Sequence, residues 1–248
     1  MARCFVIQPF SPEFDRIYDT VFAPAISDAG MEAYRVDTEP HVSVPVENIE
    51  AGIKDADACL ADISADNPNV WYELGFAIAN GKPVVIVCSD DRPGPLPFDV
   101  QHRNILRYCY RPDDVESFRS DITGRLRRVH GSRRHLQHLA ASRNGNDIAG
   151  LRAREAAALL SVASNCLTTD ASVHPSQVKH DLEPCGFSAA EMSLALDSLR
   201  GRDMLCEIEE TDAKGNKYSA FTLSGAGRKW LQKHQDKLLD FDRTSSSA

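Results

Sequence analysis

Five short apolar runs, separated by segments of helical period, constrain the first half of this chain more than any other feature. They are Cys4-Phe5-Val6-Ile7, Ala33 to Val36, Ala58-Cys59-Leu60-Ala61 ending at Asp62, Pro83 to Cys88, and Ile105 to Tyr108. Each has the length of a strand rather than of a helix. Ser11-Pro12-Glu13 reads as a helix start, with Pro in the first turn beside an acid. That helix continues through Phe14, Ile17, Tyr18, Val21, Phe22 and Ile26 to Gly30, with a kink expected at Pro24. A polar loop with Pro40 and Pro45 leads to a helix from Val46 to Ala56, and Asn67-Pro68 opens another through Ala79, ended by Gly81. Strands alternating with helices at this spacing predict an α/β fold built on a doubly wound, parallel five-stranded sheet.

Such sheets bind ligands at the carboxyl ends of their strands, where the strand order reverses. In a flavodoxin-like order that crevice lies between the first and third strands. Gln8, Pro9 and Phe10 end the first strand, Asp37 follows the second, and Asp62 ends the third. Topology alone therefore makes these residues candidates for ligand contact.

Charge separates the chain of 248 residues into blocks. Residues 1–110 carry 8 Lys/Arg against 17 Asp/Glu, residues 111–140 carry 7 against 4, and residues 141–248 carry 13 against 15. The acidic first block argues against a nucleic-acid surface there, because phosphate binding needs cations. No apolar stretch approaches the roughly 20 residues of a membrane span, and the N-terminus reads as a strand rather than a leader. The seven Cys form no C-x-x-C pair and most sit in apolar runs, as expected of reduced core thiols in a cytoplasmic protein. His135 and His138 stand amid arginines with no acid or thiol to complete a set, so no metal site is expected.

The last hundred residues follow another plan. Helices are expected at Gly150 to Asn165, Pro175 to Leu182 and Ser188 to Arg200. Strands at Met204 to Glu209 and Tyr218 to Thr222 flank a turn, and Ser224 caps a final helix from Gly225. This outline, and the segment Tyr218 to Leu231, resemble a winged helix domain. The implied organisation is an α/β domain at 1–130, a basic linker at 131–149, a winged helix at 150–240 and a disordered tail at 241–248. The presumed recognition helix holds Arg200 and Arg202 only at its end, with Glu191 and Asp197 along it. Nucleic acid is a possible partner on this outline, but protein contact or dimerisation is at least as well supported.

The strongest chemical signal is in Val70 to Ala79, which reads Val-Trp-Tyr-Glu-Leu-Gly-Phe-Ala-Ile-Ala. A helix apolar all round is expected to be buried, and a carboxylate on it costs free energy unless paired or used. Glu73 is that carboxylate. Asn69 and Ala77 lie one turn away on its face, within reach and leaving room respectively. The helix N-terminus, with Asn67 as cap, is expected to offer free N–H groups to an anion. A bland alternative is that Glu73 pairs with a buried base. The functional one is a carboxylate beneath a sugar C1′, stabilising or attacking the cation-like carbon as a glycosidic bond breaks.

The run Asp62-Ile63-Ser64-Ala65-Asp66-Asn67-Pro68-Asn69-Val70-Trp71-Tyr72-Glu73-Leu74-Gly75-Phe76-Ala77 resembles the signature of the nucleoside 2-deoxyribosyltransferase-like superfamily, and more closely its bacterial TIR-like branch. Phe5 to Phe10 with Phe14-Asp15 and Tyr18, Tyr34 to Asp37, and Pro97 to Arg103 extend the likeness over about 1–130. The resemblance implies that Glu73 is the nucleophile or sugar-binding carboxylate and that Asp62 holds the base or ribose side. Asn67-Pro68-Asn69 stands where deoxyribosyltransferases usually carry Asp followed by Gly-Thr, which favours NAD or nucleotide glycohydrolysis over base exchange. The expectation is then an N-glycosidase without cofactor, with NAD or a related nucleotide or nucleoside as its small-molecule substrate. Asp62, Asn67 and Asn69 would orient the ribose, and Gln8 and Phe10 would line the base pocket. By the same resemblance the protein is expected to be a homo-oligomeric defence or signalling effector, assembled through its winged helix. A non-catalytic nucleotide sensor and a DNA-binding regulator are the alternatives.

Overall fold

The computed structural model describes residues 1–36, 46–101, 103–111, 113–141, 147–166, 171–211 and 215–234, with the backbone alone at Phe98, Asp99 and Arg134. Asp37, expected to contact ligand, and the loop with Pro40 and Pro45 lie outside the described residues. The chain divides into two compact units, Met1–His130 and the remainder from Gly131.

In the first unit the strands are β1 (Ala2–Ile7), β2 (Met31–Tyr34), β3 (Ala58–Asp62), β4 (Val84–Ser89) and β5 (Ile105–Tyr108). All pair in parallel, in the order β2-β1-β3-β4-β5. This is the expected flavodoxin-like order, with its switch point between β1 and β3. β2 starts two residues earlier than the apolar run suggested. Gly30, at φ +80°, ends the preceding helix and lets Met31 pair at once with Ala2.

Helices cover both sheet faces, as right-handed crossovers between parallel strands require. On one face lie α1 (Pro12–Ile17), a π segment (Tyr18–Phe22), α2 (Ala23–Asp28) and the first half of α6 (Val115–Ala141). Ile17, Val21, Phe22 and Ile26 there meet Cys4, Val6, Leu60 and Val87 of the sheet and Phe118, Ile122 and Leu126 of α6. On the other face are α3 (Val46–Asp55) and α4 (Pro68–Ala79), where Ile53, Val70, Leu74 and Ala77 bury Phe5, Ile7, Cys59 and Ile86. A one-turn α5 (Phe98–Gln101) precedes β5. α3 comes so close to the sheet that a Cβ on Gly52 would lie 2.8 Å from the Phe5 ring.

The kink expected at Pro24 takes the form of the π segment. The Ala23 N–H donates to the Tyr18 carbonyl, and this widened turn absorbs the proline, which cannot donate.

The second unit holds α7 (Ala153–Asn165), α8 (Pro175–Leu182), a 3-10 turn (Glu183–Cys185), α9 (Ala189–Gly201), an antiparallel hairpin of β6 (Leu205–Thr211) and β7 (Lys217–Leu223), and α10 (Gly225–Lys233). An isolated bridge pairs Val173 with Phe221. Ser188 and Glu191 form a capping box at α9, and Ser224 Oγ accepts from Gly227 N at 3.0 Å to cap α10. Residues 131–141, expected to belong to a linker, continue α6 instead. Leu136 and Leu139 are buried in the same core as Leu159, Val162 and Leu199, because apolar side chains four and three residues apart give this basic stretch one buriable stripe.

Candidate functional site

The site is built at the carboxyl ends of β1 and β3. Ile7 pairs with Ala61, so Gln8 and Asp62 stand level, one residue further along. Gln8 is 3% exposed and its Nε2 donates to the Phe14 carbonyl of α1 at 3.2 Å. Pro9 beside it is buried, whereas Phe10 is 58% exposed. Asp62 is wholly buried. Its Oδ1 accepts from Ser64 N at 2.9 Å and Ser64 Oγ at 2.5 Å, and its Oδ2 from the Tyr108 hydroxyl at 2.9 Å. Burial raises its pKa, the bonds from Ser64 and Tyr108 oppose that, and the charge of Glu13 adds to it. Asp62 thus ties β3 to its own loop and to β5.

The helix that follows β3, α4, carries Glu73, which is 8% exposed. No hydrogen bond or ion pair reaches it among the described residues, so the bland alternative of a buried basic partner has no support there. Burial alone pushes its carboxyl up to about 7. Val70, Leu74 and Ala77 are buried on the same helix. Ala77, expected to leave room, is instead packed into the core.

Two expectations about α4 are corrected. Asn67 caps the helix, but its Oδ1 takes the N–H groups of both Asn69 (2.9 Å) and Val70 (3.4 Å). Pro68 has none to give, and Trp71 N donates to the Asn67 carbonyl. The free donors expected for an anion are therefore spent on the cap. Asn69 is exposed, and its side chain makes no bond to Glu73. Nor is α4 buried all round. Tyr72 is 49% exposed, stacked on Phe76, and donates to Glu50 Oε1 at 2.5 Å. Alternate sides of one helix thus hold a carboxylate inside and a phenol outside.

Three contributors escaped sequence reasoning. Tyr108 closes the Asp62 network from β5, and only strand pairing could bring it there. Arg35, just past β2, is nearly buried, 2.9 Å from Asp15 Oδ1, and lies over the rings of Tyr18 (4.5 Å) and Phe10 (5.9 Å). Arg92, in the loop after β4, turns its side chain inward. Its Nη1 donates to the Ile63 carbonyl at 2.9 Å, its guanidinium sits 5.6 Å from the Trp71 ring, and the Trp71 indole donates to Asp66 at 2.7 Å. The loop between β3 and α4 is braced by these contacts.

Gln8, Asp62 and Glu13 thus gather on the α1 side of the switch point, and Glu73 with its capped helix on the α4 side. A buried carboxylate of raised pKa with no partner among the described residues can accept a cation-like centre, exchange a proton near neutrality, or attack an electrophilic carbon.

Residues 13–124, a little under half of the chain, match the family model described as "Nucleoside 2-deoxyribosyltransferase". No curated protein matches the chain. Among solved structures, the TIR domain of the Toll-related receptor TRR-2 from Hydra magnipapillata is 17% identical, with a TM-score of 0.39, over 50% of this chain and 97% of that one. A 2-deoxyribosyltransferase from the psychrotolerant bacterium Bacillus psychrosaccharolyticus is 18% identical, with a TM-score of 0.35, over 49% of this chain and 90% of that one. The residues similar to that family all lie within the first unit, Met1–His130.

Proposed function

We propose that this domain cleaves the N-glycosidic bond of NAD or a related nucleotide or nucleoside, with Glu73 as the catalytic carboxylate. The observation that carries the reading is that Glu73 is buried, without a partner among the described residues, and raised to about 7 on the helix that follows the third strand. The family match covers this residue. Ionised, Glu73 stabilises the cation-like sugar or bonds to C1′ as the C1′–N bond breaks, and the base leaves with the bonding electron pair. Water then bonds to C1′, displacing the Glu73 carboxylate with its bonding pair where the two had joined, and releases a proton to the solvent or to the departed base. In this scheme Asp62 acts from beneath, holding the end of β3, with both its oxygens engaged by Ser64 and Tyr108. Asn67 sets the start of α4, and Asn69, Pro9 and Phe10 line the mouth.

The second unit is proposed to be a winged helix that controls self-assembly, in a cytoplasmic defence or signalling effector. No helix among the described residues is long and apolar enough to cross a membrane. An assembly role is favoured over DNA reading because Arg200, Arg202 and Lys217, cations of α9 and the hairpin among the described residues, are already engaged. Arg200 is paired with Asp197 at 3.2 Å and with Glu207, Arg202 donates to the Gly150 carbonyl at 2.7 Å, and Lys217 meets Glu209 at 2.6 Å. Leu194, by contrast, stands exposed on α9.

The test is chromatographic. Purified protein incubated with NAD, and separately with deoxynucleosides, should release free base, and Glu73→Gln should lower the rate by a hundredfold or more, of the order expected when a catalytic carboxylate is lost. Equal release by wild type and variant, or none by either at high protein concentration, rejects the assignment.

A further inference from the structure

Gln8 is held in one orientation. Its Nε2 donates to the Phe14 carbonyl, so turning the amide over would set two oxygens against each other. Its Oε1 is therefore the acceptor end. That oxygen is buried and, among the described residues, accepts no hydrogen bond. An acceptor shut away from water without a donor is disfavoured, and native proteins rarely leave one without a use.

The surroundings of Gln8 deepen the imbalance. Asp62, level with it on β3, has both oxygens filled by Ser64 and Tyr108. Glu13, on the first turn of α1, lies close enough for its charge to bear on Asp62. Arg35, a cation on the α1 side, stands 2.9 Å from Asp15 Oδ1 and over the Tyr18 and Phe10 rings, and no described donor reaches Gln8 Oε1. A ligand group suited to it brings N–H donors and no negative charge.

Resting on the reading that this domain releases a base, we propose that Gln8 Oε1 is a specificity-determining acceptor for an exocyclic N–H group of that base. Bases bearing a carboxamide or amino group are favoured there. Bases with a carboxylate, or with no donor at that position, are rejected because the buried oxygen stays unpaired or meets a second negative oxygen.

The full-length protein decides this with two matched pairs of ligands. One pair is NAD and nicotinic acid adenine dinucleotide, which differ by carboxamide against carboxylate. The other is deoxyadenosine and purine deoxyriboside, which differ by an amino group and carry no net charge. Wild type is expected to prefer the donor-bearing member of at least one pair by about tenfold or more in kcat/KM. In Gln8→Met that ratio should fall to about twofold or less, through loss on the donor-bearing member alone. A purely structural Gln8 would lower both members alike, and an unchanged ratio in the variant, or equal kcat/KM in wild type, overturns the proposal. If Gln8→Met does not fold, the wild-type comparison decides alone. If wild type releases no base at all, calorimetric binding of the same four compounds separates the two ideas. Selective binding then supports the role of Gln8 while removing the glycosidase, and equal or absent binding overturns both.

Discussion

Glu73 sits where a carboxylate is least stable as an anion, and this has two measurable consequences. The first is on activity. A reaction needing ionised Glu73 should quicken as pH rises through about 7, where burial has moved its pKa; a rate flat between pH 6 and 8 removes Glu73 from the chemistry. The second is on stability. The folded protein holds the Glu73 proton more tightly than the unfolded chain, whose value is 4.5. The neutral side chain is therefore no burden below about pH 4.5, and the fold loses stability as pH climbs from there through about 7. Glu73→Gln removes that loss. The variant should match wild type at pH 4 and exceed it by about 3 kcal/mol at pH 8, the difference between about 7 folded and 4.5 unfolded at roughly 1.36 kcal/mol per pH unit. Denaturant titrations at both pH values check it, and a variant less stable than wild type at pH 8 would show that Glu73 has a stabilising partner after all. Both consequences concern a residue that could be singled out before any fold was known, because one carboxylate in an apolar decapeptide is conspicuous. Whether it was paired could not be read there, since partners come from elements distant in sequence.

At the scale of the element, α4 shows how much local chemistry decides. Asn67, Pro68 and Gly81 mark its ends in the sequence, and the helix runs from Pro68 to Ala79 as those signals predict. Asn67→Ala should cost about 1 kcal/mol in thermal or denaturant unfolding, the usual worth of an N-cap. Gly75 lies mid-helix with no atom within 4 Å of an added Cβ, so Gly75→Ala should stabilise by about 0.5–1 kcal/mol. Gly227 of α10 is the contrasting case. A Cβ there would fall 2.3 Å from the Met204 carbonyl oxygen, so Gly227→Ala must push α10 off the start of β6 and should destabilise by about 1–3 kcal/mol. The same unfolding assay on both variants tests opposite signs for one substitution. What the element could not announce was its outer side. Tyr72, Gly75 and Phe76 read as buried in an apolar run, yet α4 covers the sheet on one side only, so its far side meets solvent. The N–H groups of its first turn were likewise misjudged, because a cap that invites an anion in principle had already consumed the donors.

At the scale of the whole molecule, the two units differ in charge as in architecture. The first carries the whole formal net charge of -8 and the second is formally neutral, and Arg200, Arg202 and Lys217 of the second are engaged by acids or a carbonyl. The full-length protein should accordingly show no shift of duplex DNA even at low salt, where phosphate contacts are strongest. A shift that weakens steeply with added salt would reverse the assignment of the second unit. The sequence by itself determined the alternation of strands and helices, the positions of Glu73, Gln8 and Asp62 along the chain, and the helix–helix–helix–hairpin–helix outline of the second unit. Those features follow from local periodicity, capping and proline or glycine chemistry, which act over a few residues. Only the tertiary structure decided that Asp62 is filled by Ser64 and Tyr108, that Arg92 braces the loop before α4, that 131–141 is packed helix, and that among the described residues Glu73 has no partner and Gln8 Oε1 no donor. Each of those depends on which strands pair and which side chains then meet across the sheet, and burial and hydrogen bonding are settled by that three-dimensional company.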